Sequence, residues 1–410
     1  MVYQLLIRLL SPLIWLLILI DSFKKQGGRV FFLQRLGLEY PKLPTVSKRI
    51  WFHCASVGEV KAAEPLIRAL EAEYHILITT NTPTGKQLVD NLFGDSVQHS
   101  YLPLDWPFAI RHFLDSCCPT DCWILETEIW PNLYRLCHQR NIDLRILNAR
   151  LSRKTLKAPN WLKQSYQQSL QKVNQILARS QDEAGRFIIL GAKPENVHVL
   201  GNLKYAQLDQ VPHNPNPIGR DYILLASSHE DEELQMSKLW LALNRPELLV
   251  IVPRHPKRSE MIQKQLITLD ASLSVASKGQ QPTEHNSIHL DDRLGKLMPL
   301  FEHAKLVIMG GSFVAKGGHN ALEPAAYQRA IITGPDVSDF ETETALLLQS
   351  SGIIQCQSYE ALSQNILQLI NDSELRATLG KNALVAIQSQ ADTLQNYLDA
   401  LLDSNTNNNQ

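Results

Sequence analysis

Glu59 closes the run His53-Cys54-Ala55-Ser56-Val57-Gly58-Glu59, which follows an apolar strand-like segment and opens a helical pattern. A carboxylate at a helix start is stabilised by the helix dipole, and that alone would explain a glutamate here. It is also where a general base would be wanted, at the carboxyl end of a strand. Glu126-Thr127-Glu128 ends another strand-like run, and Lys204 ends the last one before a Pro-rich break. More than a domain length away, Gly310-Gly311-Ser312-Phe313-Val314-Ala315-Lys316-Gly317-Gly318-His319-Asn320 repeats the strand-to-helix arrangement with four glycines. Asn320 with Glu323 reads as a capping box. That explains two residues, but not the glycines, the serine and the histidine beside them. Backbone amides at such a turn suit a phosphate. The run has neither the Gly-Lys-Ser/Thr ending of a Walker loop nor the G-x-G-x-x-G of a dinucleotide site, so a sugar nucleotide is the expected ligand. Pro253-Arg254-His255-Pro256 follows a strand directly, and its prolines aim Arg254, a bidentate phosphate ligand, at the same edge.

The elements that must position these residues alternate. Arg49–Ala55, His75–Thr80, Cys122–Leu125, Leu144–Leu147, Ile176–Ser180 and Val197–Leu200 read as strands with helices between them. After Val211-Pro212-His213-Asn214-Pro215-Asn216-Pro217 the pattern restarts, with strands at Tyr222–Ala226, Leu248–Val252, Ser287–Leu290, Leu306–Met309, Ala330–Thr333 and Ile353–Cys356. A helix over about 360–370 and another over about 374–400, interrupted near Gly380, finish the chain. Such alternation implies parallel sheets covered on both faces. The expected division is an apolar helix over 1–22, an α/β domain over 23–210, a linker over 211–219, a second α/β domain over 220–402, and a disordered Asn-rich tail over 403–410.

Lys and Arg number 40 against 41 Asp and Glu in 410 residues. That balance, with no basic run interleaved with aromatics, gives no reason to expect nucleic acid. Six cysteines do not make a disulfide scaffold in a chain this long. Cys117, Cys118 and Cys122 lack paired C-x-x-C spacing and read as small apolar fillers, not zinc ligands. Leu5–Ile20 is almost wholly apolar, and Lys24, Lys25, Arg29, Arg35, Lys42, Lys48 and Arg49 follow. Positive charge beside an apolar segment marks the cytoplasmic side and attracts anionic headgroups. A membrane anchor or monotopic helix is expected, against the alternative of a buried core helix.

The blocks SVGEV at 56–60, TPTG at 82–85, ETEIWPN at 126–132, NARLS at 148–152, LGA at 190–192, GNLKY at 201–205, PRHP at 253–256 and GGSFVAKGGHNALEPAA at 310–326 occur in this order. Together they resemble the 3-deoxy-D-manno-octulosonic acid (Kdo) transferases of Gram-negative bacteria, over nearly the whole chain. The resemblance implies an α/β fold of the GT-B type, two Rossmann-like parallel-sheet domains facing a cleft. It implies inverting transfer of Kdo from CMP-Kdo to a lipid A precursor (lipid IVA), with no metal or other cofactor. The site would be the cytoplasmic face of the inner membrane, with membrane lipids as partners. It further implies Glu59 as proton acceptor and Glu126 and Lys204 as transition-state stabilisers. The CMP contacts would be Pro253, Arg254, Leu294, Gly295, Lys296, Asn320, Ala321, Leu322 and Glu323. The chain departs from the family where Lys296 stands in place of a common carboxylate: a backbone contact there would change little, whereas a side-chain contact would meet a reversed charge and put Lys296 in question. A sugar-nucleotide epimerase and a membrane-tethered nucleotide-binding adaptor remain the competing readings, since both could use the same architecture.

Overall fold

The alternating apolar runs become two wholly parallel seven-stranded sheets, seen in a computed structural model that describes residues 3, 7, 9, 11, 14, 27–207, 213–390 and 392–402. The first sheet contains β1 (Arg49–His53), β2 (His75–Thr80), β3 (Gln98–Tyr101), β4 (Asp121–Leu125), β5 (Asp143–Ala149), β6 (Gln175–Ala178) and β7 (Val197–Val199). Their order is β3-β2-β1-β4-β5-β6-β7. The second contains β8 (Tyr222–Ser228), β9 (Leu248–Pro253), β10 (Leu273–Val275), β11 (Ile288–Leu290), β12 (Leu306–Met309), β13 (Ala330–Thr333) and β14 (Ile354–Gln355). Their order is β10-β11-β9-β8-β12-β13-β14. Central strands such as β1, β4 and β9 are buried along their whole length, as expected of strands with helices on both faces.

Each order reverses direction once. In the first sheet the chain leaves β1 towards β2 and later returns to pair β4 on its other side. In the second it leaves β8 towards β9 and returns to pair β12. The loops leaving two such adjacent strands diverge, which opens a crevice at their carboxyl ends. Glu59 and Glu126 leave β1 and β4. The glycine-rich run leaves β12, beside the end of β8.

The chain divides into two units, residues 1–206 with 392–410, and residues 207–391. The last helix therefore does not belong with the second sheet, where a domain over 220–402 had put it. Thr393–Leu402 carries Leu394, Tyr397, Leu398 and Leu401 at helical spacing, and these pack with Ile50, Phe52, Trp123 and Leu147 of the first unit. Arg145, buried on β5, donates to the Leu401 carbonyl at 2.9 Å. The long C-terminal helix breaks after Gln388, not at Gly380. Gly380 lies inside the helix Ser373–Gln388 because a Cβ there would stand 2.0 Å from the Gln328 carbonyl oxygen. β3 and β10 are not expected from the sequence: β3 reads Gln98-His99-Ser100-Tyr101 with no apolar run, and β10 is only the three residues Leu273-Ser274-Val275.

The expected anchor over 1–22 and the tail over 403–410 lie largely or wholly outside the described residues, as do 211–212 of the expected linker. His213 and Asn214 bind Glu302 of the second unit at 2.9 and 2.7 Å. Among the described residues no helix is long and apolar enough to cross a membrane. Ile7 and Ile14 pack against Phe31, Leu36, Tyr101, Trp106 and Ala109, and Tyr3 donates to Asp105 at 2.7 Å.

Candidate functional site

Ser56 has extended backbone and caps the helix Val57–Leu70. Its hydroxyl accepts from the Glu59 amide at 3.3 Å and donates to Glu59 Oε1 at 2.8 Å, while Oε2 accepts from the Ala55 amide at 2.8 Å. This is a reciprocal capping box, so the structural explanation of Glu59 is real. It does not account for the carboxyl's surroundings. Burial pushes Glu59 up to about 8, and Glu126 and Glu128 push the same way against the Ser56 and Ala55 hydrogen bonds. A carboxyl in that range is matched to taking a proton near neutral pH.

Glu126 stands in left-handed backbone, φ 59°, and Asn148, ending the neighbouring β5, has φ 51°. Such conformations cost non-glycine residues on the order of 1–3 kcal/mol and gather where side chains must be aimed. Lys204 Nζ stands 3.8 Å from Glu126 Oε1, a loose ion pair. Lys204 is itself set by two asparagines: Asn148 Oδ1 accepts from the Leu203 amide at 3.2 Å and Asn202 Oδ1 from the Lys204 amide at 3.1 Å. The three residues expected to act in catalysis thus converge on one edge of the first sheet. His53 does not join them as a base. It is fully buried, and desolvation followed by the nearby Arg35 pulls it down to about 3, so its 4.0 Å approach to Glu128 is no ion pair at neutral pH.

Tyr397, which no motif marks, and Arg35, expected only as part of the basic run, both reach the ends of strands in the first sheet. The Tyr397 hydroxyl accepts from the Asn148 amide at 3.2 Å and is within reach of the Gly201 and Leu177 carbonyls at 3.1 and 3.3 Å. A fully buried tyrosine from the chain's last helix thereby ties together the ends of β5 and β6 and the segment leading to Lys204. Arg35 donates to Asn81 Oδ1 at 2.7 Å and to the Leu102 carbonyl at 2.5 Å, at the ends of β2 and β3. No local motif marks either residue; only the topology brings them there.

In the second unit the glycine-rich turn is partly occupied by the protein itself. Glu232 Oε2 accepts from the His229 and Gly311 amides at 2.8 and 2.7 Å, and Oε1 from the Phe313 amide at 3.1 Å. Those amides are therefore not free to hold an external phosphate. Glu232 instead fastens the loop after β8 to the loop after β12. Its neighbour Glu233 binds Arg258 through both oxygens at 2.8 and 3.1 Å and accepts from Ser228 at 2.9 Å, which secures the loop after β9. The warning in the sequence was the charged run His229-Glu230-Asp231-Glu232-Glu233 directly after the apolar β8.

The helix after this turn is shorter than the sequence suggested. It covers Leu322–Ala326, and Asn320 Oδ1 accepts from the Leu322 amide at 3.1 Å. Ala321 and Leu322 are buried, so only their backbone can meet a ligand. Positive charge replaces bare amides as the main attraction for an anion. Arg254, His255, Arg258 and Lys316 all lie close enough to His229 to lower its affinity for a proton, after desolvation. Pro253 ends β9, and the exposed Arg254 donates its amide to the Ser228 carbonyl at 3.0 Å. Leu294, Gly295 and Lys296 are exposed on the loop after β11. That loop is held by Asp292, which accepts from the Ser277 amide and hydroxyl at 2.9 and 2.7 Å. β9 and β8 separate β11 from β12, so this loop stands apart from Asn320–Glu323 along the same edge. Among the described residues no group of three or more His, Cys, Asp and Glu side chains is arranged to hold a metal ion.

Known proteins match this chain at both levels. Residues 31–207 match the family model described as 3-deoxy-D-manno-octulosonic-acid transferase (kdotransferase). A 3-deoxy-D-manno-octulosonic acid transferase of Haemophilus influenzae is 34% identical over 414 residues, covering 97% of each chain. One of Bordetella pertussis is 30% identical over 426 residues, covering 98% of each. Among solved structures, a putative UDP-N-acetylglucosamine 2-epimerase from Listeria monocytogenes aligns with a TM-score of 0.62 at 14% identity, over 87% of this chain and 96% of its own. That likeness shows the fold alone. The sequence relatives cover the whole length, both sheets and every motif from SVGE to the glycine-rich turn, and the chain belongs to the 3-deoxy-D-manno-octulosonic acid transferase family, a family of Kdo-transferring glycosyltransferases.

Proposed function

We propose that the protein transfers Kdo from CMP-Kdo to lipid IVA in lipopolysaccharide biosynthesis, with inversion at the anomeric carbon. The observation that carries this reading is Glu59, a buried carboxyl at the switch point of the first sheet with its proton affinity raised to about 8. It takes the proton of the acceptor hydroxyl as that oxygen attacks the anomeric carbon of Kdo from the face opposite the phosphate. The bond from that carbon to the phosphate oxygen breaks, and its electron pair leaves with CMP. Glu126 stabilises positive charge on the sugar, and Lys204 holds Glu126 in place. On the second unit, Arg254 and its cationic neighbours meet the charge of the phosphate. Pro253, Leu294, Gly295, Lys296 and Asn320 through Glu323 form the remaining CMP contacts, with the backbone acting at Ala321 and Leu322.

We further propose that the N-terminal segment holds the protein at the cytoplasmic face of the inner membrane. Leu9, Val30, Leu38 and Phe108 are exposed apolar residues on segments bordering the cluster against which Ile7 and Ile14 pack. An apolar surface beside Arg29 and Lys42 suits a helix lying in the interface of an anionic membrane. Deleting residues 1–20 then lowers membrane association more than it lowers turnover on detergent-dispersed acceptor. Equal membrane binding by the truncated protein refutes the anchor.

The activity is tested by incubating the protein with CMP-Kdo and lipid IVA and determining the mass and anomeric configuration of the lipid product. A Kdo-lipid of inverted configuration supports the reading. Failure to form one, or retention of configuration, overturns it.

A further inference from the structure

Two histidines from different loops meet at the switch point of the second sheet. His229 follows β8 and His319 lies in the glycine-rich run after β12. Their Nε2 atoms are 2.9 Å apart, and the rings are nearly coplanar, 11° from parallel. Glu232 brings the loops together by accepting from the His229 and Gly311 amides. Gly311, at φ 68°, lies against both rings: a Cβ there would stand 3.2 Å from each. The pair is therefore built by its surroundings.

An Nε2-to-Nε2 hydrogen bond has a defined proton count. One nitrogen must donate and the other accept, so exactly one proton lies between the rings in any bonded state. A neutral pair carries one further proton, on Nδ1 of the accepting ring, and leaves the other Nδ1 a bare lone pair. A singly charged pair has a proton on each Nδ1 and offers two donors outward. Among the described residues neither Nδ1 has a hydrogen-bond partner, and neither is sealed from solvent.

The pair's own surroundings favour its neutral form. Desolvation, then His229, Arg254 and His255, draw His319 down to about 4; desolvation followed by His255, Lys316, Arg258 and Arg254 lowers His229. The nearest carboxylates do little to offset this. Glu232 is committed to three amides beneath the loops, and Asp336 and Asp339 lie against Gly317. A phosphate arriving among these cations cancels their repulsion, and it is repelled by a bare lone pair but bound by a second N–H.

We propose that the His229–His319 pair takes up one proton when the phosphate of the donor nucleotide binds, so that the nucleotide site is proton-linked. This rests on the reading of the second unit as the CMP site. It also deepens that reading: as the bond to the anomeric carbon breaks, the phosphate passes from one negative charge to two, and the positive charge gained by the pair offsets it.

The test is calorimetric titration of the full-length protein with CMP at pH 7.5, in buffers of different ionisation enthalpy. The wild type should take up close to one proton per CMP bound, and its affinity should fall up to about tenfold per pH unit above the bound pair's pKa. His319→Gln should still bind CMP, more weakly, with uptake near zero. His229→Gln, should the first variant fold poorly, should behave alike. His285→Gln, which removes an exposed histidine at the amino end of β11, away from the pair, should keep the uptake. CMP binding without proton uptake in the wild type overturns the proposal and leaves the CMP site standing, as does unchanged uptake in both pair variants. No CMP binding at all overturns both.

Discussion

Glu59→Gln should stabilise the first unit, and increasingly so as pH rises. Burial drives the Glu59 carboxyl from 4.5 up to about 8, so the folded protein holds this proton more tightly than the unfolded chain does. The stability it contributes is fully present below about pH 4.5 and is lost as pH rises to about 8. At ~1.4 kcal/mol per pH unit over ~3.5 units, the loss has a ceiling of ~5 kcal/mol. The effective dielectric of real sites brings the expected gain on removing the charge nearer to ~2 kcal/mol at pH 9. Gln is neutral throughout and retains an oxygen for the Ala55 amide and a capping partner for Ser56, so the helix start is preserved. Urea denaturation of both proteins at pH 5 and pH 9, followed by tryptophan fluorescence, measures the difference. Trp51, Trp106, Trp123, Trp130 and Trp161 belong to the first unit, so the emission reports chiefly on it. The variant should match the wild type at pH 5 and exceed it at pH 9. A stability gap that does not change with pH, or a less stable variant at pH 9, refutes the argument.

Three further outcomes follow from the same geometry. Transfer should rise with pH through a midpoint near 8 and level off above it, and Glu126→Gln, which removes a negative charge that raises Glu59, should move this rise to lower pH; a rate profile of the variant that rises at the same or higher pH would count against it. Tyr397→Phe removes the hydroxyl shared by Asn148, Gly201 and Leu177, should cost about 1–3 kcal/mol in the first unit, and should lower kcat while CMP affinity stays constant; calorimetry and steady-state kinetics check both parts. Glu232→Gln puts an N–H where a carboxylate oxygen accepts from amides, so the second unit should lose about 1–3 kcal/mol and CMP binding should weaken, which thermal unfolding and titration measure.

The fold was legible because parallel sheets with both faces covered need long apolar strands, and β1, β4, β8, β9 and β12 supply them. β3, reading Gln98-His99-Ser100-Tyr101, was not, since pairing with β2 makes it a strand without an apolar run. The return of the last helix to the first unit was hidden for a different reason. Its apolar spacing at Leu394, Tyr397, Leu398 and Leu401 shows that it packs, but not on which sheet. Glu59 could be singled out from the SVGE block at a strand end, and Glu126 and Lys204 from their motifs. Their mutual placement depends on the β1–β4 and β4–β5 pairings, which no local pattern encodes. Four glycines in one turn suggest a set of open amides. It could not be seen that Glu232, some eighty residues earlier in the chain, accepts from the Gly311 and Phe313 amides. A buried carboxylate that bridges loops leaves no trace in either loop's own sequence.

The central claim is that Glu59 is the base. It is tested most directly by single-turnover transfer from CMP-Kdo to lipid IVA with the Glu59→Gln variant, alongside titration of the same preparation with CMP. The account predicts that Kdo-lipid formation falls by a factor on the order of 10²–10⁴ while CMP affinity stays within about twofold of wild type. Transfer at near wild-type rate by the folded variant would contradict it.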